Sequence, residues 1–302
     1  MIRHNHWMTY SYNNIINGRK STPSCDFSLH YNAAKITAQS FHQALYHNAI
    51  ILEQEISPPY DVLLSGGIDS EVVVRVNHDL GISQNVYTFR YEDNLNIRDL
   101  ESAKNLCDEL NIKLNIIDFN VKRFIERDAY DLYHQTYFPK IDYLTKIKWL
   151  EYLDHTPIFG NGEPYWRKIN PSSSNSEWML DLIEHEFSMG LWHQYSGRTI
   201  IGEWYLYTPD IMMTYHGEST IKKLINNEIV GKTSSWSSRY GIYRNIWPTV
   251  RNNIKLVGFE GEMGSAGSCP PYIQEFKDTV LKNTANKNFL YSVRDLENNI
   301  SG

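Results

Sequence analysis

Apolar and polar positions alternate in period along this chain, and the changes of period mark its elements. Tyr60 to Leu64 is a short apolar run after Pro58-Pro59, the pattern of a buried strand. Glu71 to Leu80 then places Val72, Val73, Val76 and Leu80 at helical spacing, with Gly81 as the C-terminal cap. Upstream, Ala34, Ala38, Phe41, Leu45, Ala49 and Leu52 recur at steps of three and four, which predicts a helix from Tyr31 onward. Downstream, Asn85 to Tyr91 is β-branched and aromatic and reads as a strand. A helix capped by Asp99 follows, with Leu100, Ala103, Leu106 and Leu110 on one side, and then a strand from Lys113 to Phe119.

Residues 122–156 are helical in composition, and Pro157 to Phe159 is a further short strand running into Gly160-Asn161-Gly162-Glu163-Pro164. Strand and helix in alternation predict an α/β fold, a parallel twisted sheet with helices on both faces, followed by a mostly helical C-terminal part. Residues 1–30 read as an irregular lead-in, 31–260 as one nucleotide-type domain, and 261–302 as a mobile loop with a helical tail. Within the domain, Pro171 to Ser176 is the expected hinge and Trp178 to Trp192 an amphipathic segment.

Composition narrows the classes. A 302-residue chain with 41% hydrophobic and 21% charged residues is globular and long enough for a large core. A net charge of −6 argues against a nucleic-acid binder. The three cysteines, Cys25, Cys107 and Cys269, form no metal or disulfide pattern. No apolar run reaches membrane-spanning length and the N-terminus lacks a signal-peptide core, so a cytoplasmic protein with no membrane partner is expected.

The candidate chemistry sits between the first domain strand and its helix, in Ser65-Gly66-Gly67-Ile68-Asp69-Ser70. Two glycines let the backbone turn and approach a ligand closely, and the N–H groups of a loop opening a helix converge on one anion. Ser65 and Ser70 add hydroxyls, and Asp69 puts a carboxylate where a phosphate-bound Mg²⁺ would sit. Gly231-Lys232-Thr233 is not a Walker A loop, because the first glycine of that motif would fall at Asn226.

Ser-Gly-Gly-Ile-Asp-Ser after a strand resembles the pyrophosphate loop (PP-loop) of the N-type ATP pyrophosphatases, and residues 31–260 look most like the synthetase domain of asparagine synthetase. The resemblance implies an adenine nucleotide alpha hydrolase-like fold. It also implies cleavage of ATP between its α and β phosphates, adenylation of an acceptor oxygen, and displacement of AMP by ammonia or an amine. It makes Ser65, Gly66, Gly67, Asp69 and Ser70 the phosphate and Mg²⁺ site, and Thr88, Phe89 and Arg90 candidates for holding adenine. Lys232, followed by Arg239, matches a lysine that contacts the ATP phosphates, and Glu203 to Asp210 has the layout of another family stretch.

Gly160 to Trp166 stands where the family carries a second acidic loop. Here the family's Glu falls on Asn161 and its Asp on Pro164. Either Glu163 has taken over the metal or the acceptor chemistry differs. The catalytic amidotransferase cysteine after the initiator Met is absent, so nitrogen would come from ammonia, a substrate amine or a separate glutaminase. A small-molecule acceptor is expected. A tRNA- or base-modifying enzyme of the same superfamily and an ATP-binding regulator without turnover remain open alternatives.

Overall fold

The computed structural model describes residues 8–12, 15–16, 19–20, 27–31, 35–138, 141–160, 165–172, 176–183, 192, 196–202, 208–229, 231–232, 234–235, 238–250, 271–281, 288–292, 294–295 and 298. Glu163, the Glu203 to Tyr207 stretch and the glycine-rich loop before Pro270 lie outside them.

Its centre is a four-stranded parallel sheet. In chain order the strands are β5 (Tyr60–Leu63), β6 (Gln84–Tyr91), β7 (Leu114–Phe119) and β8 (Thr156–Phe159), and across the sheet they run β7-β6-β5-β8. Val62 pairs with Val86 on one side and Ile158 on the other, and all three are fully buried. Such strands, covered on both faces, are near-continuously apolar. Ile201 extends the sheet past β8: its N–H donates to Pro157 O at 2.9 Å and its carbonyl accepts from Phe159 N at 2.8 Å.

Helices cover both faces, as the α/β reading expects. Helix α2 (Ile68–Leu80) links β5 to β6 and ends on Gly81 in the left-handed conformation (φ 68°). Helix α3 (Ile97–Glu109) links β6 to β7. A helical run through α4 (Val121–Arg123), a π turn (Phe124–Asp128), α5 (Ala129–Thr136) and α6 (Ile141–Trp149) then carries the chain back to β8. The strands leave β5 first in one direction and then in the other. The crevice at the carboxyl ends of β5 and β8 is therefore the topological switch point, where sheets of this kind bind ligands.

At the N-terminal ends of the strands the buried Asp61 carboxylate accepts from the backbone N–H of Asp154 and His155 (2.9 and 2.8 Å) and from Asn85 Nδ2 (2.9 Å). It ties three strands together on the side away from the crevice. A buried carboxylate is tolerable because donors surround it.

Several local expectations are corrected. Helix α1 spans Phe41–Glu55 and does not begin at Tyr31. The Asp210 carboxylate holds Thr37 N, Thr37 Oγ1 and Ala38 N at 2.6, 2.7 and 3.1 Å, and Ser40 Oγ caps the helix at Gln43 N (3.1 Å), so Ala38 is buried ahead of the helix and not within it. The lead-in carries paired strands, β1 (Met8–Tyr12) with β4 (Phe27–Tyr31) and β2 (Ile15–Ile16) with β3 (Arg19–Lys20).

The last third is not helix alone. A three-stranded antiparallel sheet joins β9 (Tyr165–Ile169), β10 (Glu177–Ile183) and β11 (Asn288–Ser292). The segment beginning at Trp178 starts as a strand because Trp178 and Leu180 alternate into the core. The expected hinge is the connection of the β9–β10 hairpin. Helices α7 (Pro209–Gly217), α8 (Ser219–Ile225), α9 (Arg239–Ile246) and α10 (Pro271–Phe276) complete this part.

Candidate active site

The loop after β5 is shaped by its own side chains. Leu64 N–H still follows the sheet, donating to Tyr87 O at 2.8 Å. The chain then turns at Gly66, whose φ of +75° suits glycine and whose missing side chain leaves room for Asp99: a Cβ there would lie 2.4 Å from Asp99 O. Ser70 is buried. Its Oγ accepts from Ser65 N at 3.1 Å, donates to Gly67 O at 3.0 Å and lies 3.2 Å from Ser65 Oγ. The Ser70 hydroxyl therefore closes the loop more than it reaches for a ligand, while Ser65 stands at the mouth of the groove.

Helix α2 begins at once, with Gly67 as N-cap and Glu71 N donating to Gly67 O at 3.1 Å as its first intrahelical bond. The N–H groups before Glu71 have no partner within the helix, and the helix dipole adds positive potential at the same point. Asp69 and Glu71 in this first turn fit that dipole. An anion bound here meets backbone donors rather than solvent.

Two other segments close on the loop. Gly160, at the end of β8, touches the first turn of α2: a Cβ on it would lie 2.3 Å from Ser70 Cα. From the last third comes Arg239, the first residue of α9, whose Nη1 donates to Asp69 Oδ1 and Oδ2 at 2.8 and 3.0 Å. The residues before it are held on β9, where Ser235 N donates to Trp166 O (2.8 Å) and Ser235 Oγ accepts from Trp166 N (2.9 Å). Lys232, exposed, lies three residues upstream of that anchor. The chain thus brings Gly160, Arg239 and the Ser65–Ser70 loop together at one end of the sheet.

A groove beside the loop is lined by Leu64, Ser65, Thr88, Phe89, Asn96 and Trp149. Its free volume is about 30 Å³, room for about one water. Phe89 is a wall rather than a ligand-facing group. Its ring stacks on Trp149 (centroids 4.4 Å, planes 10° apart) and its carbonyl accepts from Asn96 Nδ2 at 2.7 Å. Arg90 faces the other way, as successive strand residues do. It pairs with Asp118 at 2.5 and 2.8 Å on a neighbouring open cleft, and this hydrogen-bonded pair holds the Asp118 carboxyl below its ordinary range.

Trp149 lines the groove, and its indole N–H is buried and meets no acceptor among the described residues. Sequence reading named neither Trp149 nor a role for Arg239. No local pattern marks the first, and the second was visible only as an arginine following Lys232.

Residues 61–137 match the family model described as "Queuosine biosynthesis protein QueC". These residues are a PP-loop module of the ATP pyrophosphatase superfamily. Over 63 residues the chain is 40% identical to 7-cyano-7-deazaguanine synthase from Methanocaldococcus jannaschii, a match covering 20% of this chain and 27% of that protein. The chain thus matches about a quarter of that relative's length. Among solved structures, NH3-dependent NAD synthetase from Campylobacter jejuni aligns over 82% of this chain and 95% of its own at 16% identity, with a TM-score of 0.33. NMN synthetase from Francisella tularensis aligns over 40% and 53% at 17% identity, with a TM-score of 0.30. Superpositions of that quality carry no argument about the site. A narrower likeness to asparagine synthetase is left as a proposal.

The residues fit a PP-loop module that uses ATP. They also offer Mg²⁺ one carboxylate, Asp69, beside the phosphate cradle. That is the usual arrangement for this ion, which takes one or two carboxylates and fills its shell with phosphate oxygens and water. Among the described residues there is no cluster of three or more potential metal-ligating side chains.

Proposed function

We propose that this chain is an ATP-dependent, AMP-forming ligase that makes a C–N bond, in the manner of the asparagine synthetase domain. The observation that carries the reading is the Ser65–Ser70 loop opening α2 at the switch point of a parallel sheet, with Gly160 and Arg239 packed on its first turn.

The backbone N–H groups of the loop hold the β and γ phosphates, and the groove beside Trp149 takes the adenine. Asp69, with Glu163 as the second carboxylate, would hold Mg²⁺, which would supply positive charge to screen the phosphates. An acceptor carboxylate or carbonyl oxygen attacks the α-phosphorus, and the bond to the pyrophosphate oxygen breaks. Ammonia or an amine, free or supplied by a separate glutaminase, then attacks the adenylated carbon and AMP departs with the acceptor oxygen. Lys232 steadies the charge growing on pyrophosphate; a positioned cation acts most where charge develops. If the acceptor carries oxygen-18 at the attacking oxygen, the AMP released should carry the label. Unlabelled AMP would contradict adenylation of the acceptor.

A second reading has a specific observation behind it. The match over 61–137 is to a queuosine biosynthesis family, and the 40% identical segment belongs to a protein named for a 7-deazaguanine product. The acceptor would then be a carboxylated ring of that kind, and the step the same. A panel of deazapurine carboxylates against amino-acid carboxylates, scored by AMP formation, separates the two.

A further inference from the structure

Helix α9 runs alongside α2 and is tied to it at both ends. At the start, Arg239 holds Asp69. At the finish, Trp247 Nε1 donates to Asp79 Oδ2 at 2.7 Å. Asp69 and Asp79 are ten residues apart, about 15 Å along a helix, and Arg239 and Trp247 are eight apart, about 12 Å. The helices therefore lie side by side and point the same way. Thr249 Oγ1 adds a third tie to Glu109 at 2.6 Å, and Glu109 in turn accepts from the buried Arg75 of α2 at 2.9 Å. The ties at Asp79 and Glu109 are remote from the loop. Only the tie at Asp69 lies inside the phosphate cradle.

That position has a consequence. Asp69 is the second residue of α2, so a cation bonded to its carboxylate stands next to the N–H groups that receive an anion. A triphosphate arriving there brings several negative charges beside the Asp69 carboxylate, and like charges at that distance repel unless a cation lies between them. Arg239 is already there. Both of its bonds to Asp69 come from Nη1, and a guanidinium grips carboxylates and phosphates alike, so the group that holds this carboxylate is chemically suited to a phosphate beside it. Its side chain is only 12% exposed, which keeps the charge from being screened by water.

We infer that Arg239 is a triphosphate-binding residue: it neutralises Asp69 while the site is empty of nucleotide and turns its guanidinium onto the β or γ phosphate when ATP binds, leaving the Asp69 carboxylate to Mg²⁺. The inference rests on the ligase reading for the identity of the nucleotide. It goes further in giving the last third of the chain a direct hand on the phosphates. Since α9 stays anchored through Trp247 and Thr249, the exchange needs a side-chain swing and no movement of the helix.

The test is equilibrium binding of ATP and of AMP to the wild type, Arg239→Ala and Arg239→Lys, with the melting temperature of each unliganded protein measured alongside. AMP keeps the base and α-phosphate but lacks the groups Arg239 would grip. Hydrogen bonds to charged groups of this kind are worth on the order of ten- to a hundredfold in affinity. Arg239→Ala should lose that factor for ATP and little for AMP, and Arg239→Lys should recover part of it. If ATP and AMP weaken equally, or if the melting temperature falls while ATP affinity holds, Arg239 only braces the fold and the assignment is overturned. Wild-type protein that binds neither nucleotide overturns the ligase reading, and this assignment with it. Tight ATP binding that depends on Arg239 but yields no AMP would support the assignment and count against the ligase alone.

Discussion

Gly160 stands so close to Ser70 that a side-chain carbon on it would lie 2.3 Å from Ser70 Cα and 2.5 Å from Ser70 N. The end of β8 is thereby packed on the first turn of the phosphate-binding helix, with no room between them. Both obstructing atoms are backbone, which cannot rotate away. Gly160→Ala should therefore push the loop after β8 off α2, at a cost of about 1–3 kcal/mol, the usual range for overpacking. ATP affinity should fall with it. Gly81→Ala is the control: its φ of +68° strains alanine, yet nothing lies within 4 Å of the added carbon. It should lower the melting temperature and leave ATP binding unchanged.

The groove reading is tested at Trp149. Trp149→Phe keeps an aromatic ring against Phe89 and removes the buried indole donor. If the donor meets the adenine, ATP should bind a few-fold to about tenfold more weakly, the net worth of one neutral hydrogen bond. Inorganic tripolyphosphate, which has no base, should bind as before. Equal weakening of both would place the base elsewhere.

Lys232 is exposed and lies three residues before Ser235, which is anchored on β9, and its proposed role is a matter for kinetics. Lys232→Ala should lower kcat by roughly a hundredfold to a thousandfold and change KM for ATP little, because its charge is needed mainly as pyrophosphate departs. A rise in KM with kcat unchanged would make it a ground-state contact instead.

A pH effect belongs to the remote tie. Burial raises the Asp79 carboxyl, but hydrogen bonds from Tyr46, Trp247 and His78 outweigh it and hold the group below its ordinary value of 3.8. A depressed carboxyl contributes stability that is present above the unfolded value and is lost as pH falls through the folded one. Wild-type stability should therefore exceed that of Asp79→Asn near neutrality, and the gap should narrow as pH drops below about 4. Denaturant melts at several pH values, followed by Trp fluorescence, measure it. A constant gap would contradict the assignment.

What could be read from the chain was local. The run from Tyr60 to Gly81 carries its strand, loop and helix within about twenty residues, and β6, α3 and β7 repeat the same short-range signals. The α/β core and the phosphate loop follow from those alone. The failures are non-local. Leu180 pairs with Tyr291, and nothing near residue 291 announces a strand partner more than a hundred positions away. The helical stripe before Phe41 was overridden by Asp210, 173 residues from Thr37. Arg239 reaches Asp69 across 170 positions, so spacing says nothing of the pair. Phe89 and Arg90 are readable as strand residues, but which side of β6 each side chain takes depends on the register with its neighbours.

The most direct test of the central claim is the identity of the nucleotide product. Purified protein is incubated with Mg²⁺ and ATP labelled at the α-phosphate, together with ammonium and a pool of candidate carboxylate acceptors, and the nucleotides are separated. The ligase account expects labelled AMP with an equal amount of pyrophosphate, and neither from a Ser65→Ala, Asp69→Asn double variant that still binds AMP. ADP and inorganic phosphate as the products would mean attack at the γ-phosphate and would contradict it.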